Sequence, residues 1–251
     1  MSIKYKDMST IKIKNLYKHF DGIKAVDHLN LSFESGKITG LIGPNGSGKS
    51  TLINLLTGVV PFDSGVVIIS ETTKLLRVKP YDMASFDITR TFQDVRLFEQ
   101  MPVIDNILVV LTKRGIVGSL FEQHKKYHLE KAKEVLERVG LWEKRNELAA
   151  DLSYGQRKLL EIARALAMNA DIYFFDEPFA GLFPEIIKVV SSILKELRDK
   201  GKTVVLVEHN MELIRELSDY CIVMDSGELL AEGKPNDVLS QKAVIEAYLG
   251  E

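Results

Sequence analysis

Short, mainly apolar runs alternate with amphipathic segments of helical spacing along most of the chain. The apolar runs lie at residues 38–42, 172–175, 204–207 and 221–224. The segments of helical spacing lie at residues 51–57, 154–168, 184–198 and 211–218. Apolar runs of this length are typical of strands buried on both faces of a parallel sheet, with helices as the crossover connections. The pattern therefore predicts an α/β fold whose main sheet is mostly parallel.

Two further stretches modify this picture. Residues 11–14 and 29–33 alternate apolar and polar side chains, which predicts two antiparallel strands ahead of the main sheet. Residues 94–151 are richer in helical pattern and include an amphipathic helix at 127–139 that ends before Gly140. We expect a mainly parallel sheet with an antiparallel β subdomain and an inserted helical subdomain.

Composition excludes several classes of protein. The chain has 251 residues, 45% of them hydrophobic, which suits one large α/β domain. Its net charge of −2 argues against nucleic acid as a partner. The apolar runs are too short to span a bilayer, and the first ten residues lack an apolar signal core. The single cysteine, Cys221, predicts a buried inert thiol. We expect a cytoplasmic protein that reaches a membrane only through partners.

The clearest chemical motif is the segment of residues 43–50, Gly-Pro-Asn-Gly-Ser-Gly-Lys-Ser. It matches the phosphate-loop pattern G-x-x-x-x-G-K-[ST] and lies between a predicted strand and a predicted helix. Glycines let several backbone N–H groups point at one anion, and the helix N-terminus adds partial positive charge. Lys49 is expected to reach the β- and γ-phosphates of a nucleotide, and Ser50 to hold Mg²⁺. The alternative is a glycine-rich turn with a chance lysine.

A second candidate anion site lies about a hundred residues further along the chain. Ser153 precedes the helical segment 154–168 and is well placed as its N-cap. With the Gly155 N–H, it would present donors at a helix N-terminus. The alternative is simply a capped helix.

Acidic and basic side chains follow two of the apolar strands. Asp176 and Glu177 come directly after residues 172–175, and His209 comes just after 204–207. The carboxyl ends of strands are the usual place for chemistry in α/β proteins. One carboxylate there can bind Mg²⁺ and the next can activate water, while a histidine can contact a γ-phosphate. A solvated acidic turn and a structural histidine are the alternatives.

Together these features resemble the ATP-binding subunit of ABC transporters over nearly the whole chain. Five motifs carry the resemblance, in order: residues 43–50 as the Walker A loop, Gln93 as the Q-loop, residues 152–156 as the signature, residues 175–178 as the Walker B end, and His209 as the switch histidine. The resemblance implies one ABC ATPase domain over residues 1–251. Its expected parts are the ATP-binding core with the β subdomain at 1–93 and 160–235, the helical subdomain with the signature at 94–159, and a C-terminal helix at 236–251.

Additional segments resemble the ATPases of branched-chain amino-acid importers. They are residues 89–93, 95–98, 180–182, 208–211 and 247–251, together with Tyr154 in the signature. Related ATPases that serve transporters of urea, amides or lipopolysaccharide share much of this pattern. The resemblance therefore favours import of branched-chain amino acids and keeps those transporters as alternatives.

The resemblance implies ATP and Mg²⁺ as cofactors. The residues implied to bind ATP are Phe20, Gly43, Pro44, Asn45, Gly46, Ser47, Gly48, Lys49, Ser50, Thr51, Ser153, Gly155 and Gln156. Among them, Phe20 would stack on adenine. Ser50, Gln93 and Asp176 would surround Mg²⁺, Asp176 through water. The catalytic residues would be Glu177 as general base, His209 at the γ-phosphate, Lys49 and Gln93.

The resemblance also implies partners. Two ATPase subunits, identical copies or paralogues, would sandwich two ATP molecules head to tail, so that Ser153 and Gly155 act on the other subunit's phosphate loop. Transmembrane permease subunits would dock on residues 95–103 and hold the chain at the cytoplasmic face of the membrane, without direct insertion. Hydrolysis would open the dimer and pass that motion to the permease.

Two residues depart from the usual family pattern. Tyr154 stands where glycine is commoner in the signature, so its side chain either leaves less room at the nucleotide or points away from it. Phe183 stands where aspartate or asparagine usually helps couple the two sites of the dimer, which puts strong coupling in doubt.

Two functions of other classes remain as alternatives. A soluble ABC-type ATPase acting on ribosomes or DNA usually has two fused cassettes or basic extensions, and this chain has one cassette and a net charge of −2. A nucleotide-binding regulatory module without turnover would not need both Glu177 and His209. We therefore expect a transporter ATPase.

Overall fold

The computed structural model describes residues 9–70, 72–111 and 122–249. The strands are β1 Ser9–Phe20, β2 Ile23–Glu34, β3 Ile38–Ile42, β4 Ser64–Ile69, β5 Thr73–Leu75, β6 Ile88–Arg90, β7 Ile172–Asp176, β8 Thr203–Val207, β9 Tyr220–Asp225 and β10 Glu228–Gly233. The helices are α1 Lys49–Leu56, α2 Val103–Leu111, α3 Glu122–Arg138, α4 Tyr154–Ala167, α5 Pro184–Asp199, α6 Met211–Leu217, α7 Pro235–Val238 and α8 Lys242–Leu249. Short 3₁₀ turns lie at Pro80–Phe86, Trp142–Lys144 and Ala149–Asp151.

The main sheet has six strands in the order β10-β9-β3-β8-β7-β6. All neighbouring pairs are parallel except β9 with β10, which form an antiparallel hairpin. Val207 at the end of β8 pairs with Leu41 of β3 on one side and with Asp176 of β7 on the other. The register thus brings the carboxyl ends of three strands together, and the predicted α/β class is confirmed.

The second sheet is four-stranded and antiparallel, in the order β2-β1-β4-β5. Its strands β1 and β2 run 12 residues each, well beyond the predicted segments 11–14 and 29–33. Asn15 and His28 have positive φ angles of 47° and 50°, and the register shifts nearby. Such irregularities break the two-residue alternation of side chains, so the sequence pattern revealed only the regular parts of the two strands.

One hydrophobic core joins both sheets to helix α1. The ring of Phe33 on β2 meets the ring of Phe174 on β7 edge to face, with centroids 6.2 Å apart. Leu52, Leu55 and Leu56 of α1 belong to the same buried cluster, as the helical spacing predicted. The core therefore fixes the helix that begins directly after the phosphate loop.

Cys221 lies fully buried in β9. Burial raises the pKa of its thiol to about 12, because a thiolate would lose its hydration there. The thiol therefore stays protonated at neutral pH, and its burial agrees with the buried thiol that the sequence predicted.

The contacts divide the chain into two compact units, which are described separately below. The first comprises residues 1–90, 171–177 and 193–251, and the second comprises residues 91–170 and 178–192. In the second unit, helices α2, α3 and α4 pack against one another. The subdomain boundaries given by the sequence remain a prediction. Among the described residues, no helix combines the length and the apolar character that crossing a membrane requires.

Candidate nucleotide-binding site

The phosphate loop joins β3 to α1, and two of its glycines are required by their surroundings. Gly43 and Gly48 have φ angles of 148° and 99°, in the region that favours glycine. A Cβ on Gly43 would overlap the carbonyl oxygen of Met224, and one on Gly48 would overlap that of Ala25. The N–H of Gly227 also donates to the carbonyl of Ser47 over 3.1 Å. The β9–β10 hairpin thus holds the loop in one conformation.

Lys49, the first residue of α1, folds back over this loop and is buried. Its Nζ donates to the carbonyl oxygens of Gly43 and Pro44 at 2.7 and 2.8 Å, and to Ser47 Oγ at 3.2 Å. An ammonium held by loop carbonyls stands where a bound phosphate would need positive charge. Asn45, Gly46 and Ser50 are exposed at the same loop, so the cradle is open to a ligand. The donor set fits a nucleotide phosphate.

Asp176 ends β7 and is only 3% exposed. Its Oδ2 accepts a hydrogen bond from Arg90 Nη2 at 2.7 Å. Arg90 Nη1 also donates to Asn54 Oδ1 of α1 at 2.6 Å, so the guanidinium links β7 to the helix that follows the phosphate loop. A carboxylate and the Ser50 hydroxyl are hard oxygen ligands, which suits Mg²⁺. Arg90 was missed as a site residue, because nothing in its local pattern marks a partner 86 residues away.

The Arg90–Asp176 pair gives a prediction about stability. Arg90→Met should lower the free energy of unfolding by about 3–5 kcal/mol, because it leaves the Asp176 carboxylate buried without that partner. Urea denaturation would measure the loss. Arg215→Met, which changes an exposed arginine of the same unit, should stay within about 0.5 kcal/mol of the parent.

The double variant Arg90→Met with Asp176→Asn separates the two charges. It should recover most of the loss, since the buried negative charge is then gone. A loss below about 1 kcal/mol for Arg90→Met alone would show that the pair does not stabilise the fold.

Glu177 and His209 form the second functional pair. Glu177 has a φ angle of 47°, a left-handed conformation that costs a non-glycine residue about 1 kcal/mol or more. Its N–H donates to the carbonyl of Val207 at 3.0 Å, which holds this turn against β8. Glu177 Oε1 lies 3.0 Å from His209 Nε2. Strain at this position is consistent with a carboxylate that is positioned for chemistry.

The backbone around His209 is fixed by its neighbours. Buried Glu208 accepts from the N–H of His209 at 3.1 Å and from the N–H of Asn210 at 3.3 Å. Asn210 caps α6 by accepting from the N–H groups of Glu212 and Leu213. Glu208 therefore positions the histidine, a role that its place after an apolar strand did not reveal.

Phe20 lies at the end of β1 and is 43% exposed. The two-residue turn after it, Asp21 and Gly22, has φ angles of 45° and 89°, as in a type I′ hairpin. Asp63 holds the strand end: it accepts from Lys18 Nζ at 2.8 Å and from the His19 N–H at 2.9 Å. These bonds lower the pKa of Asp63 to about 2, the Lys18 bond most of all. Lys18 Nζ also lies 4.9 Å from the centroid of the Phe20 ring. Phe20 is thus a partly exposed ring on a rigid base, which suits stacking.

The signature residues belong to the second unit and lie at the start of α4. Ser153 Oγ accepts from the Gln156 N–H at 3.4 Å, and Gln156 Oε1 accepts from the Ser153 N–H at 3.1 Å. This capping box confirms the predicted N-cap. A Cβ on Gly155 would overlap Ile186 Cδ1, so glycine allows α5 to pack closely there.

The two departures from the family pattern also lie in the second unit. The ring of Tyr154 faces Gly181 in the loop after the Walker B end, where a Cβ would be 3.3 Å from Tyr154 Cε1. Phe183 in the same loop is 75% exposed.

The structure therefore groups the predicted residues as two sets. The phosphate loop, Asp176, Glu177, His209 and Phe20 lie in the first unit, and Gln93, Ser153, Gly155 and Gln156 lie in the second. Gln93 is exposed and its carbonyl accepts a bond from Lys158 at 2.7 Å. The roles of all these residues remain predictions.

A phosphate loop between a strand and a helix, with acids and a histidine at the ends of adjacent parallel strands, defines a P-loop nucleoside triphosphatase. A family model described as "ABC transporter" matches residues 26–180. A second model, "Branched-chain amino acid ATP-binding cassette transporter", matches residues 228–251. The class is thereby narrowed to the ABC ATPases.

Individual relatives match this chain over nearly its whole length. The chain is 37% identical to the "High-affinity branched-chain amino acid transport ATP-binding protein LivG" of Escherichia coli K12, covering 96% of this chain and 98% of that protein. It is 36% identical to the "Probable branched-chain amino acid transport ATP-binding protein LivG" of Methanocaldococcus jannaschii, covering 97% and 98%. This chain belongs to the ABC transporter family and is an ATP-binding subunit that hydrolyses ATP to energise transport.

Solved structures show the same fold. A nucleotide-free ATP-binding cassette from an ABC transporter has a TM-score of 0.84 and 35% identity, covering 97% of this chain and 100% of that one. A dimeric ATP-binding cassette in a post-hydrolysis state, bound to ADP and Pi, has a TM-score of 0.78 and 28% identity, covering 90% and 98%. Nucleotide binding is thus a property of the family.

Proposed function

We propose that this chain is the ATP-hydrolysing subunit of a branched-chain amino-acid importer, held by permease subunits at the cytoplasmic face of the membrane. The observation that carries the proposal is the match of its last 24 residues, 228–251, to a model described as "Branched-chain amino acid ATP-binding cassette transporter". The relatives that match over nearly the whole chain are named for transport of the same substrates. Transport of urea, amides or lipopolysaccharide is the alternative that the sequence resemblance keeps open.

The site residues divide into binding and chemistry. The phosphates are bound by the loop of residues 43–51, through its backbone N–H groups (Pro44 has none) and the Lys49 ammonium, while Phe20 stacks on the adenine. Ser50, Asp176 and Gln93 hold Mg²⁺, which when bound offsets the negative charge of the phosphates. The support is chemical: the buried Lys49 ammonium lies within the loop, and Ser50 and Asp176 supply oxygen ligands.

Hydrolysis depends on Glu177 and His209. Glu177 accepts a proton from the attacking water as general base. His209 Nε2, 3.0 Å from Glu177 Oε1, orients that carboxylate and contacts the γ-phosphate. Glu208 restrains the backbone of His209, so the imidazole keeps its place while the base acts.

The site is completed by a second ATPase subunit, an identical copy or a paralogue. Ser153, Gly155 and Gln156 lie at the N-terminus of α4, where the helix dipole adds positive charge. The capping box occupies the N–H groups of Ser153 and Gln156, so the Gly155 N–H and the Ser153 hydroxyl are the donors offered to a ligand. In a head-to-tail pair these groups bind the nucleotide held by the other subunit. ATP then joins two positive surfaces, and loss of phosphate separates them.

The test measures how strongly each of two matched solutes stimulates ATP hydrolysis by the membrane complex. The tagged chain is purified from detergent-extracted membranes with the membrane subunits that accompany it, and the complex is placed in vesicles with its binding protein. Leucine should raise ATP hydrolysis severalfold, whereas asparagine, of similar shape but polar, should not. The complex of Glu177→Gln should show no stimulation by either solute.

Three results would overturn the proposal. One is stimulation by urea or an amide in place of leucine. Another is recovery of the chain on ribosomes with no membrane subunit. The third is a complex that leucine leaves at its unstimulated rate while another solute raises it.

A further inference from the structure

Three charged side chains form a stripe along helix α4. Lys158, Glu161 and Arg164 are three residues apart, a spacing that places them on one side of a helix. Each of them bonds to the backbone of one segment, residues 92–96, which contains Gln93. All of these residues lie within the second unit. The helix that begins at the signature thus carries the Q-loop along its side.

Lys158 makes the central contacts of this stripe. Its side chain is 1% exposed, and its Nζ donates to the carbonyl oxygens of Gln93 at 2.7 Å and Phe92 at 3.2 Å. A buried ammonium is costly, and a well-packed apolar side chain of similar volume is often at least as stable. A lysine at this position is therefore explained better by what it holds than by its contribution to the core.

Glu161 and Arg164 continue the attachment. Glu161 Oε1 accepts from the Phe92 N–H at 3.1 Å, and burial raises the pKa of its carboxyl group. Arg164 Nη1 donates to the carbonyl oxygen of Arg96. The guanidinium of Arg96 in turn lies 4.1 Å from the centroid of the Phe92 ring. The segment is thus bonded through both backbone N–H and C=O groups.

The other end of the segment is fixed by one buried asparagine. Asn106 of α2 is fully buried, and its Oδ1 accepts from the Phe98 N–H at 2.9 Å. Its Nδ2 donates to the carbonyl oxygens of Phe98 and Pro102, each at 3.1 Å. Most of residues 92–102 belong to no helix or strand. Their backbone groups are hydrogen-bonded instead to side chains of α4 at one end and of α2 at the other.

We propose that Lys158 is a positioning residue that fastens the Gln93 segment to the signature helix, so that a displacement of residues 95–103 by a membrane partner reaches Ser153. The inference rests on the proposed function, because it needs a permease docked on that surface. Without the bonds of Lys158, Glu161 and Arg164 still hold residues 92 and 96, but the carbonyl of Gln93 between them is released and the segment yields more under load. Lys158 then governs how strongly the transported solute stimulates hydrolysis, and not the unstimulated rate.

The test uses three variants of the permease complex. Lys158→Met keeps the apolar stem and removes the donor, Lys158→Arg keeps donors, and Lys133→Met changes a half-exposed lysine of α3 in the same unit. Solute-stimulated and unstimulated ATPase rates are measured for each. Lys158→Met should lower the stimulated rate about tenfold and leave the unstimulated rate within about twofold. The other two variants should resemble the parent.

A second measurement reports on the attachment itself. Spin labels at Gln100→Cys and Met168→Cys give the distance between the segment and the end of α4, and buried Cys221 stays unlabelled. The distance distribution should broaden in Lys158→Met and return to the parent width in Lys158→Arg.

The outcomes separate this inference from the proposed function. A parent complex that leucine does not stimulate would overturn the proposed function and, with it, this inference. A stimulated parent with an equally stimulated Lys158→Met would overturn the inference alone. So would an equal fall of stimulated and unstimulated rates, which would leave Lys158 with a purely structural role. An unchanged distance distribution would also overturn the inference, because it would show that Lys158 does not hold the segment.

Discussion

Replacing Glu177 with glutamine is expected to lower the rate of ATP hydrolysis about a thousandfold while ATP still drives two subunits together. The loss corresponds to about 4 kcal/mol of transition-state stabilisation. The amide cannot accept the proton of the attacking water, but it has the shape of the carboxylate and can keep a hydrogen bond to His209, 3.0 Å away in the parent. Phosphate release would measure hydrolysis, and gel filtration with ATP and Mg²⁺ would measure association.

The geometry around Glu177 explains why the two effects should separate. The residues proposed to bind ATP do not include Glu177, and its N–H is bonded to β8 whatever its side chain carries. Glu185→Gln, an exposed change eight residues further along, should leave both measurements unaltered. The Glu177→Gln variant is expected to bind ATP without hydrolysing it. If gel filtration with ATP and Mg²⁺ showed this variant as a monomer alone, that result would count against the two-subunit site.

The local conformations of several candidate site residues follow from short-range order in the sequence, while their roles stay predictions. The phosphate loop, the N-cap Ser153 and the acids after β7 each follow from a few adjacent residues whose backbone preferences or side-chain chemistry are specific. Asn210 shows the same rule, since its amide caps the helix that begins one residue later. Local signals of this kind need no knowledge of the tertiary fold.

The contacts that the sequence concealed are long-range. Arg90 meets Asp176 across 86 positions, and Lys158 meets the carbonyl of Gln93 across 65. In the sequence both residues look like solvated charges, since burial of a charge is unusual unless partners are supplied from elsewhere. The irregular strands β1 and β2 were shortened in the prediction for a related reason, because register shifts erase the alternation on which it depended.

Ser153→Arg is the second change with a large expected effect. It should lower turnover at least about a hundredfold and leave the ATP affinity of the isolated monomer within about twofold, because the proposed role of Ser153 is in the other subunit's site. Arginine also removes the N-cap, at a cost of about 1 kcal/mol, and adds positive charge at the positive end of α4. Fluorescent-nucleotide titration measures the affinity. Ser153→Asn, which can still cap the helix, controls for the lost cap.

A mixing experiment decides which subunit Ser153 serves. Lys49→Ala removes the loop ammonium, so a pair of Lys49→Ala subunits has no competent site, and neither has a pair of Ser153→Arg subunits. In a two-fold symmetric pair of one of each, the intact loop faces the intact signature once. Equal mixing should therefore restore about a quarter of the parental sites, provided that the two sites work independently. Exposed Phe183, standing where an acid or amide usually couples the sites, favours that independence. If the mixture were as inactive as its components while ATP still drove pairing, two explanations would be left: Ser153 acts on its own subunit, or both sites must be complete. A fall in the ATP affinity of the Ser153→Arg monomer would identify the first explanation.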